Sequence, residues 1–370
     1  MSRNILLAII LIINTVVFSQ EKRARGYGLD FGVFKTGIDN SITDVEGVKV
    51  GHVTLNYGEN IRTGVTAIIP HLDDLFRIKT PTAIYIGNGY GKLAGYSQIE
   101  ELGNSETPII LTNTLSVPTV SQALIEYTLK NNNSIRSVNP LVGETNDGRL
   151  NDIQGFHVKK EHVFKAIEKA SLKNTAEGNI GAGTGTVCFG FKGGIGTSSR
   201  VIPKSLGGYT VGVLVQTNFG GVLRIGGESI GKKLNKYTFK KNSYESADGS
   251  CMIVIITDAP LDSRNLKRIA KRGMMGLAKT GGIASNGSGD YVIALSIASQ
   301  NLINSKSESS RYKPTYLFNK DVSPLFLAAI EATEEAIINS LFAAKTMIGK
   351  NGFKVEELPK KKVLNYILKN

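Results

Sequence analysis

The sequence predicts an α+β fold in which two stacked, mostly antiparallel sheets are covered by helices on their outer faces. Three observations lead to this fold class. Short apolar runs of strand length are separated by glycine, which accounts for 41 of the 370 residues. Helical patterns are interspersed among runs of strands and do not alternate regularly with them. The chain, of which 41% is hydrophobic, is also long enough to bury a large layered core.

The first half of the chain begins with strands and continues with helices. The segment SITDVEGVKVGHVTL at 41–55 is a turn followed by an alternating strand, and further short β runs come after it. One helix is predicted over TVSQALIEYTLKN from Thr119. A second is predicted over KKEHVFKAIEKASLKN, in which apolar residues recur at helical spacing (Val163, Ala166 and Ile167). From Asn179 the chain becomes rich in glycine, and we expect two antiparallel strand pairs at the centre of the sheet system.

The second half combines buried strands with two long helices. An apolar strand spans 251–257, and a helix follows it with Asp262 or Ser263 as its N-cap. After the strand DYVIALSIAS, the last long helix is predicted to begin with Ser323 as its N-cap and to stop at Gly352.

The first twenty residues, MSRNILLAIILIINTVVFSQ, have the pattern of a secretory signal. Arg3 precedes an apolar run from Ile5 to Ile13, and small or β-branched residues up to Ser19 suit a signal peptidase. The alternative is an uncleaved membrane anchor, but the apolar run is short for a span. We therefore expect residues 1–19 to be removed, leaving a periplasmic or secreted protein without stable membrane insertion.

Charge and metal-binding residue types exclude several classes of function. The net charge is +13, but the basic residues are dispersed and form no recognisable nucleic-acid-binding motif, so we expect no nucleic-acid partner. Cys188 and Cys251 lie in apolar runs, which favours buried thiols over a disulfide. The four histidines share no ligand spacing, and we predict neither a metal nor another cofactor.

Ser250, in YESADGSCMIVIITDAP, stands directly before a core strand. No histidine follows His162 and no nucleophile-elbow motif is present, so a Ser-His-Asp triad is a poor explanation for a reactive serine. The polar segment 235–249 reads as an exposed linker where a chain can be cut. If the bond between Gly249 and Ser250 were broken, the serine would carry an α-amino group of pKa about 7.7 to 8.0, a competent base for its own hydroxyl.

The Asp-Gly-Ser sequence before the strand has two interpretations when it is taken alone. Gly249 is expected to permit the strained backbone that attack of the serine hydroxyl on the Gly249 carbonyl requires. An ordinary turn before a strand is the alternative interpretation of Asp-Gly-Ser.

Seven segments in order along the chain resemble the DmpA/P1 family of aminopeptidases, also called the L-aminopeptidase/D-esterase family or peptidase family S58, which includes the β-peptidyl aminopeptidases. They are ITDVEGVKVGHVTL, PIILTNTLSVPTV, LVGETNDGRLNDI, GNIGAGTGTVCFGFKGGIGTSSR, VGVLVQTNFG, GSCMIVIITDAPLDSRNLKRIAKRGMMGLAKTG and ASNGSGDYVIALS. The resemblance implies an αββα sandwich of the DmpA/ornithine acetyltransferase type. It also implies one catalytic domain over 20–370, self-cleaved into 20–249 and 250–370, and a homo-oligomer, expected to be a tetramer of cleaved protomers.

The resemblance further implies release of N-terminal amino acids from peptides, amides or esters that have a free amino end. It assigns Ser250 as the nucleophile, and Ser288 and Asp290 as the pair that orients and polarises its hydroxyl and amino groups. Asn218 corresponds to an oxyanion donor, and Glu144 to the group that binds the substrate's amino terminus.

The chain departs from the family at Asn146, where members often carry tyrosine as a second oxyanion donor. Asparagine is shorter but remains a donor, so the geometry or the substrate range is expected to differ here.

Two other functions compete with this interpretation. An ornithine-acetyltransferase-like enzyme would transfer an acetyl group with a threonine nucleophile, which Ser250 and the predicted signal argue against. A non-catalytic, glycine-rich ligand-binding module would stay as one intact polypeptide.

Overall fold

The structure, a computed structural model, describes residues 23–130, 132, 134–173, 175–240 and 249–368. The strands are Lys49–Tyr57 (β1), Ile61–Ile69 (β2), Ile78–Gly89 (β3), Asn104–Ser105 (β4), Ile109–Asn113 (β5), Leu141–Thr145 (β6), Val187–Cys188 (β7), Phe191–Lys192 (β8), Ile195–Val201 (β9), Thr210–Asn218 (β10), Gly249–Thr257 (β11), Ser288–Ser296 (β12), Ile303–Asn304 (β13), Met347–Ile348 (β14) and Lys354–Val355 (β15). The α-helices are Tyr96–Leu102 (α1), Val117–Lys130 (α2), Lys160–Glu168 (α3), Ile230–Lys233 (α4), Ser263–Lys279 (α5), Ser323–Ala343 (α6) and Lys360–Ile367 (α7).

Two sheets form the middle of the fold. The larger has the strand order β13-β3-β12-β11-β10-β9, with β4 paired to β3, and the smaller has the order β1-β2-β5-β6. Within these sheets only β11 with β12 and β5 with β6 pair in parallel among the described strands. The expectation that the glycine-rich segment from Asn179 forms the centre is wrong for β9, which lies at the edge, because β11 and β12 are inserted between β10 and β3.

Three apolar clusters define four layers. Between the sheets, Val254 and Ile293 of the larger sheet pack with Ile68 and Ile109 of the smaller one. On the outer face of the smaller sheet, strand residues pack against α2 and α3 (Val65 and Ile110 with Leu124, Val163 and Ala166). On the outer face of the larger sheet, strand residues pack against α5 and α6 (Ile253 and Val292 with Ile269, Ala336 and Ile337). The predicted αββα sandwich is therefore confirmed.

The ends of the two long helices test the capping predictions. The side chain of Asp262 caps α5 by accepting a hydrogen bond from the backbone N–H of Asn265 at 2.8 Å. The prediction for α6 is wrong at both ends, because Ser323 is its first helical residue and the helix ends at Ala343. Beyond that point the backbone becomes extended and forms the β14-β15 hairpin, so Gly352 lies in the turn of that hairpin.

A fully buried cation attaches α6 to the edge strand β9. Arg200 pairs through Nε with Glu331 at 3.1 Å and through Nη2 with Glu335 at 2.8 Å. Its Nη2 also donates to the carbonyl oxygen of Phe31 at 2.7 Å. The outer helix is therefore held to the larger sheet by charge as well as by apolar contact.

Two predicted segments lie wholly or partly outside the described residues. The signal at 1–19 is one of them, and 241–248 of the expected linker is the other. Among the residues that are described, no helix has the length and apolar character needed to cross a membrane.

Candidate active site

Ser250 occupies the second position of β11 and is 5% exposed. Its hydroxyl donates a hydrogen bond to the carbonyl oxygen of Gly249 at 2.7 Å. It also accepts one from the backbone N–H of Gly289 on the neighbouring strand β12, at 3.3 Å. These two contacts hold Oγ beside the peptide bond that self-cleavage would break.

Gly249 is required for a reason other than the one expected. It belongs to β11 and has no left-handed backbone conformation, so the expectation of a strained backbone is wrong. A Cβ atom at this position would lie 2.7 Å from the Cα of Phe219 and 3.0 Å from the carbonyl oxygen of Asn218. Glycine is present because β10 and the chain after it approach too closely for any side chain.

Ser288 and Asp290 begin β12 and are each 1% exposed. Burial raises the pKa of the Asp290 carboxyl to about 6. The Ser288 hydroxyl and the backbone N–H of Cys251 lie close enough to oppose this rise. Even so, no atom of the described residues makes a hydrogen bond of normal geometry to either carboxylate oxygen or to the Ser288 hydroxyl. Buried polar atoms in folded proteins rarely lack a hydrogen bond.

Strand alternation places this pair on the opposite face of the sheet from the Ser250 side chain. Ser250 is in register with Gly289, whereas Asp290 is in register with Cys251. Cys251 belongs to the cluster under α5 and α6, and Met252 belongs to the cluster between the sheets. The Ser250 hydroxyl therefore faces the smaller sheet, and the Ser288-Asp290 pair lies behind it, with main-chain atoms between.

Asn218 ends β10 directly opposite Ser250 in the antiparallel register. Its Oδ1 accepts a hydrogen bond from the backbone N–H of Val187 at 2.9 Å. Because the amide oxygen is engaged in this way, the Nδ2 group is left as a donor, and no described residue accepts from it. This geometry suits an oxyanion donor.

Lys192, which the sequence analysis did not single out, supports the same amide. Its side chain is fully buried, and burial lowers its pKa to about 7. It donates to three backbone carbonyl oxygens, those of Gly183, Thr186 and Gly193, at 3.0, 2.9 and 2.7 Å. The peptide unit that joins Thr186 to Val187 is thus held by the ammonium at its oxygen and contacts Asn218 through its N–H. A single lysine in the apolar, glycine-rich run CFGFKGGIG was the signal available in the sequence.

Glu144 lies on β6 of the smaller sheet and is 3% exposed. Its Oε1 accepts a hydrogen bond from the backbone N–H of Lys92 at 2.9 Å, and its Oε2 accepts one from the Thr114 hydroxyl. Burial raises the pKa of this carboxyl. Lys92 and Thr114 were not predicted as site residues, although Thr114 falls within a segment that carried the family resemblance.

A cavity of about 720 Å³ brings most of the predicted residues together. Five of them line it: Glu144, Asn146, Asn218, Gly249 and Ser250. Asn146 is exposed, and its Oδ1 accepts a hydrogen bond from the backbone N–H of Gly148 at 2.9 Å, so its amide nitrogen is also free to donate. Ser288 and Asp290 do not line the cavity. A second cavity, of about 830 Å³, lies near His71 and Glu106 and contains none of the predicted site residues.

Among the described residues, neither a histidine nor a metal site is found at the cavity wall. No histidine is among the described residues that line it. Within the described ranges, no three or more His, Cys, Asp or Glu side chains are grouped as a metal site would need. Cys188 and Cys251 are buried free thiols, as predicted.

Comparisons with known proteins agree with one another. A family model described as peptidase family S58 matches residues 40–355. A beta-peptidyl aminopeptidase, BapA of Sphingosinicella microcystinivorans, is 41% identical over 364 residues, which covers 91% of this chain and 89% of that protein.

Solved structures give the same result. The PH0078 protein of Pyrococcus horikoshii OT3 is 46% identical, with a TM-score of 0.87 over 94% of this chain and 99% of that one. The L-aminopeptidase D-Ala-esterase/amidase of Ochrobactrum anthropi is 33% identical, with a TM-score of 0.85 over 94% of this chain and 98% of that one. The latter is described as a prototype for the serine aminopeptidases and as a variant of the Ntn hydrolase fold.

Proposed function

This chain belongs to peptidase family S58 and is a serine aminopeptidase of the N-terminal nucleophile type, and from this premise we propose that Ser250 becomes its nucleophile when the Gly249–Ser250 bond is cut. The proposed cleavage divides the domain 20–370 into 20–249 and 250–370. The two pieces stay associated because β11, whose second residue becomes the new terminus, is buried along its whole length between β10 and β12.

Self-cleavage begins with attack of the Ser250 Oγ on the carbonyl carbon of Gly249. The hydroxyl proton passes to the departing Ser250 nitrogen, and the C–N bond is replaced by an ester between Gly249 and Oγ. Water then hydrolyses the ester, which leaves a carboxylate on Gly249 and a free amino group on Ser250. The starting position is favourable because Oγ already contacts the Gly249 carbonyl group.

The unsatisfied buried pair behind Ser250 is the observation that carries this proposal. Asp290 and Ser288 present three polar atoms without a normal hydrogen bond, immediately beside the strand that would acquire a new ammonium group. A buried carboxylate without a partner is costly, and an amino group freed from Gly249 would provide one. We therefore assign Asp290 and Ser288 to the freed nitrogen, whereas the hydroxyl is oriented by Gly289.

Hydrolysis then follows the ordinary course of an acyl-enzyme mechanism. The neutral α-amino group takes the proton from Oγ, which attacks the substrate carbonyl, and the developing oxyanion is bound by the amide nitrogens of Asn218 and Asn146. The amine leaves with the transferred proton, and water releases the amino acid from the ester.

Glu144 accounts for the requirement for an unblocked amino end. Each of its oxygens accepts one protein hydrogen bond and retains a second acceptor position, which a substrate ammonium can occupy as a charge-assisted contact. Because a relative that is 41% identical is named a beta-peptidyl aminopeptidase, we extend the proposed substrates to peptides that begin with a β-amino acid. Parallel rates on alanine and β-alanine anilides test this extension, and activity on the alanine compound alone would refute it.

The two competing functions are not supported. The family and its relatives are peptide hydrolases, which disfavours both acetyl transfer and a non-catalytic glycine-rich module.

The direct test compares Ser250→Ala with Ser250→Cys. The alanine variant should remain one chain and lose amide hydrolysis, whereas the cysteine variant retains a nucleophile and should still be cut, if more slowly. Denaturing gels with N-terminal sequencing of the smaller band give the cleavage site. An alanine variant that is cut at this bond, or a wild-type chain that stays whole and yet is fully active, would exclude the mechanism.

Two further proposals concern export of the protein and its oligomeric state. We propose that residues 1–19 are removed on export to the periplasm or medium, as their signal pattern indicates. Mass spectrometry of exported protein that still contains Met1 would contradict this. We also propose a tetramer of cleaved protomers, on the family resemblance alone, and sedimentation of a single cleaved protomer at micromolar concentration would contradict that assembly.

A further inference from the structure

The cavity at Ser250 carries an excess of positive charge that the mechanism does not use. Among the described residues that line it, the charged ones are one acid, Glu144, and four bases, Lys92, Arg149, Lys236 and Lys240. The acid is already assigned to the substrate's amino group. Bases that do not act on Glu144 are therefore available to a part of the substrate that is negatively charged.

Lys236 is held in place more firmly than a surface lysine. Its ammonium lies 4.2 Å from the centre of the Phe191 ring. Its stem covers the turn at Gly190, where a Cβ atom would lie 2.7 Å from the Lys236 Cε. The side chain is half-buried, and it forms no ion pair within the described part of the chain. Its charge is thus positioned at the cavity wall, and no carboxylate of a described residue pairs with it.

Arg149 supplies a second cation at the same wall. The guanidinium lies 5.8 Å from the centre of the Phe353 ring and has no carboxylate partner among the residues described. Burial lowers the pKa of Lys236, Glu356 opposes this effect, and Arg149 lowers the pKa further, which indicates that the two cations lie near each other. An anion bound between them would relieve their mutual repulsion.

Three of the residues that line the cavity come from one short segment of the chain. Glu144, Asn146 and Arg149 follow one another from the end of β6 into the next turn, and all three line the cavity. We infer that a substrate whose amino group contacts Glu144 and whose scissile carbonyl faces Asn146 continues along this segment and places its leaving group on the side of Arg149. Lys236 reaches the same region from beside the β7-β8 hairpin, whose Val187 holds Asn218.

We propose that Arg149 and Lys236 form a carboxylate subsite on the leaving-group side of the cavity, so that the enzyme favours dipeptides and other short peptides whose leaving residue carries a negative charge. This inference rests on the proposed function, because it takes the positions of the amino group and the scissile carbonyl from it. The natural substrates of the enzyme would then be the last products of peptide breakdown, and with a dipeptide the leaving group is a free amino acid.

Matched substrates separate the two possible sources of the carboxylate. Ala-Ala and its C-terminal amide differ only in the α-carboxylate, and Ala-Glu-amide and Ala-Gln-amide differ only in the side-chain carboxylate. We expect wild type to favour the acid of the first pair by at least about tenfold in kcat/KM, mostly through KM. Preference within the second pair alone would assign the subsite to acidic side chains and overturn the dipeptide assignment.

Variants then assign the preference to the two cations. Arg149→Gln and Lys236→Gln should each reduce the acid-to-amide ratio of kcat/KM several-fold, and the double variant should bring it close to one. Lys204→Gln is the matched control, because this exposed lysine lies beyond the start of β10, at the opposite end of that strand from Asn218. It should leave both rates unchanged.

The outcomes distinguish this inference from the proposed function. If wild type hydrolyses none of the four compounds nor an alanine anilide, the proposed function fails. If it hydrolyses the amides with the same kcat/KM as the acids, the proposed function stands and the proposed subsite is wrong. A ratio that persists in the double variant would likewise overturn the subsite, since another group would then recognise the carboxylate.

Discussion

The role of Asn218 can be tested by two substitutions that differ in a single hydrogen bond. Asn218→Ala removes both the Nδ2 donor and the Oδ1 that accepts from Val187. Asn218→Asp retains an oxygen for the Val187 N–H and replaces the donor that faces the cavity with an acceptor. Both variants lack the oxyanion donor, but only the alanine variant leaves the Val187 N–H without a partner.

The expected effects follow from these contacts. Loss of one oxyanion donor lowers kcat about 10² to 10³-fold, equivalent to about 2.7 to 4 kcal/mol. In the alanine variant the buried N–H of Val187 also loses its acceptor, which costs about 1 to 3 kcal/mol of folding free energy. We therefore expect both variants to lose kcat by at least this factor, the aspartate variant the more because its carboxylate repels the oxyanion, whereas only the alanine variant loses stability from the unpaired N–H.

The assay is steady-state hydrolysis of an alanine anilide, with rates normalised to the fraction of cleaved chain on a denaturing gel. Urea unfolding of the same preparations gives the stability difference. If Asn218→Asp retains more than about a tenth of the wild-type kcat, Asn218 acts by holding the Val187 segment in place, and the oxyanion assignment is refuted.

Three further predictions concern buried charges. In the uncleaved Ser250→Ala background, burial raises the pKa of Asp290 from 3.8 to about 6, so ionisation of this carboxyl lowers the stability of the fold as pH rises across that interval. Asp290→Asn in this background should therefore be more stable by up to about 3 kcal/mol at pH 7.5 and no more stable at pH 3.5. Urea titrations at the two pH values would show this difference, and equal stability at pH 7.5 would contradict it. Arg200→Gln should lower the free energy of unfolding by about 3 to 5 kcal/mol, because it removes the cation that the structure pairs with buried Glu331 and one of the two cations, with Arg25, that it pairs with buried Glu335; a loss below 1 kcal/mol by the same titration would contradict this. Lys192→Met should lower both the urea midpoint and kcat, because it leaves three carbonyl groups unpaired and releases the peptide that holds the Asn218 amide; an unchanged kcat would show that the amide is oriented without it.

Local pattern was sufficient for much of the fold. The apolar spacing in α3 and the cap at Asp262 depend on residues within a few positions of one another, and both predictions are confirmed. The end of α6 was not predictable in this way. Its last turn is followed at Met347 by a strand that pairs with Val355, and this pairing carries Gly352 away from the helix.

The candidate site also combines features that neighbouring residues determine with features that depend on long-range contacts. The sequence by itself determined that Ser250 begins a core strand, that Gly249 precedes it, and that no histidine is near it in the chain, because each of these is a property of neighbouring residues. The family resemblance added the identities of Glu144 and Asn218, but not the contacts that orient them.

Only the tertiary structure decided which face and which depth each group occupies. Ser288 and Asp290 lie behind the Ser250 hydroxyl because β12 pairs with β11 in a register that sets Gly289, and not Asp290, beside the serine. Lys192 is an internal support and Lys236 a cavity cation, although both are lysines in short polar or glycine-rich stretches. Burial and long-range pairing depend on strands far apart in the chain, and for that reason no local pattern contains them.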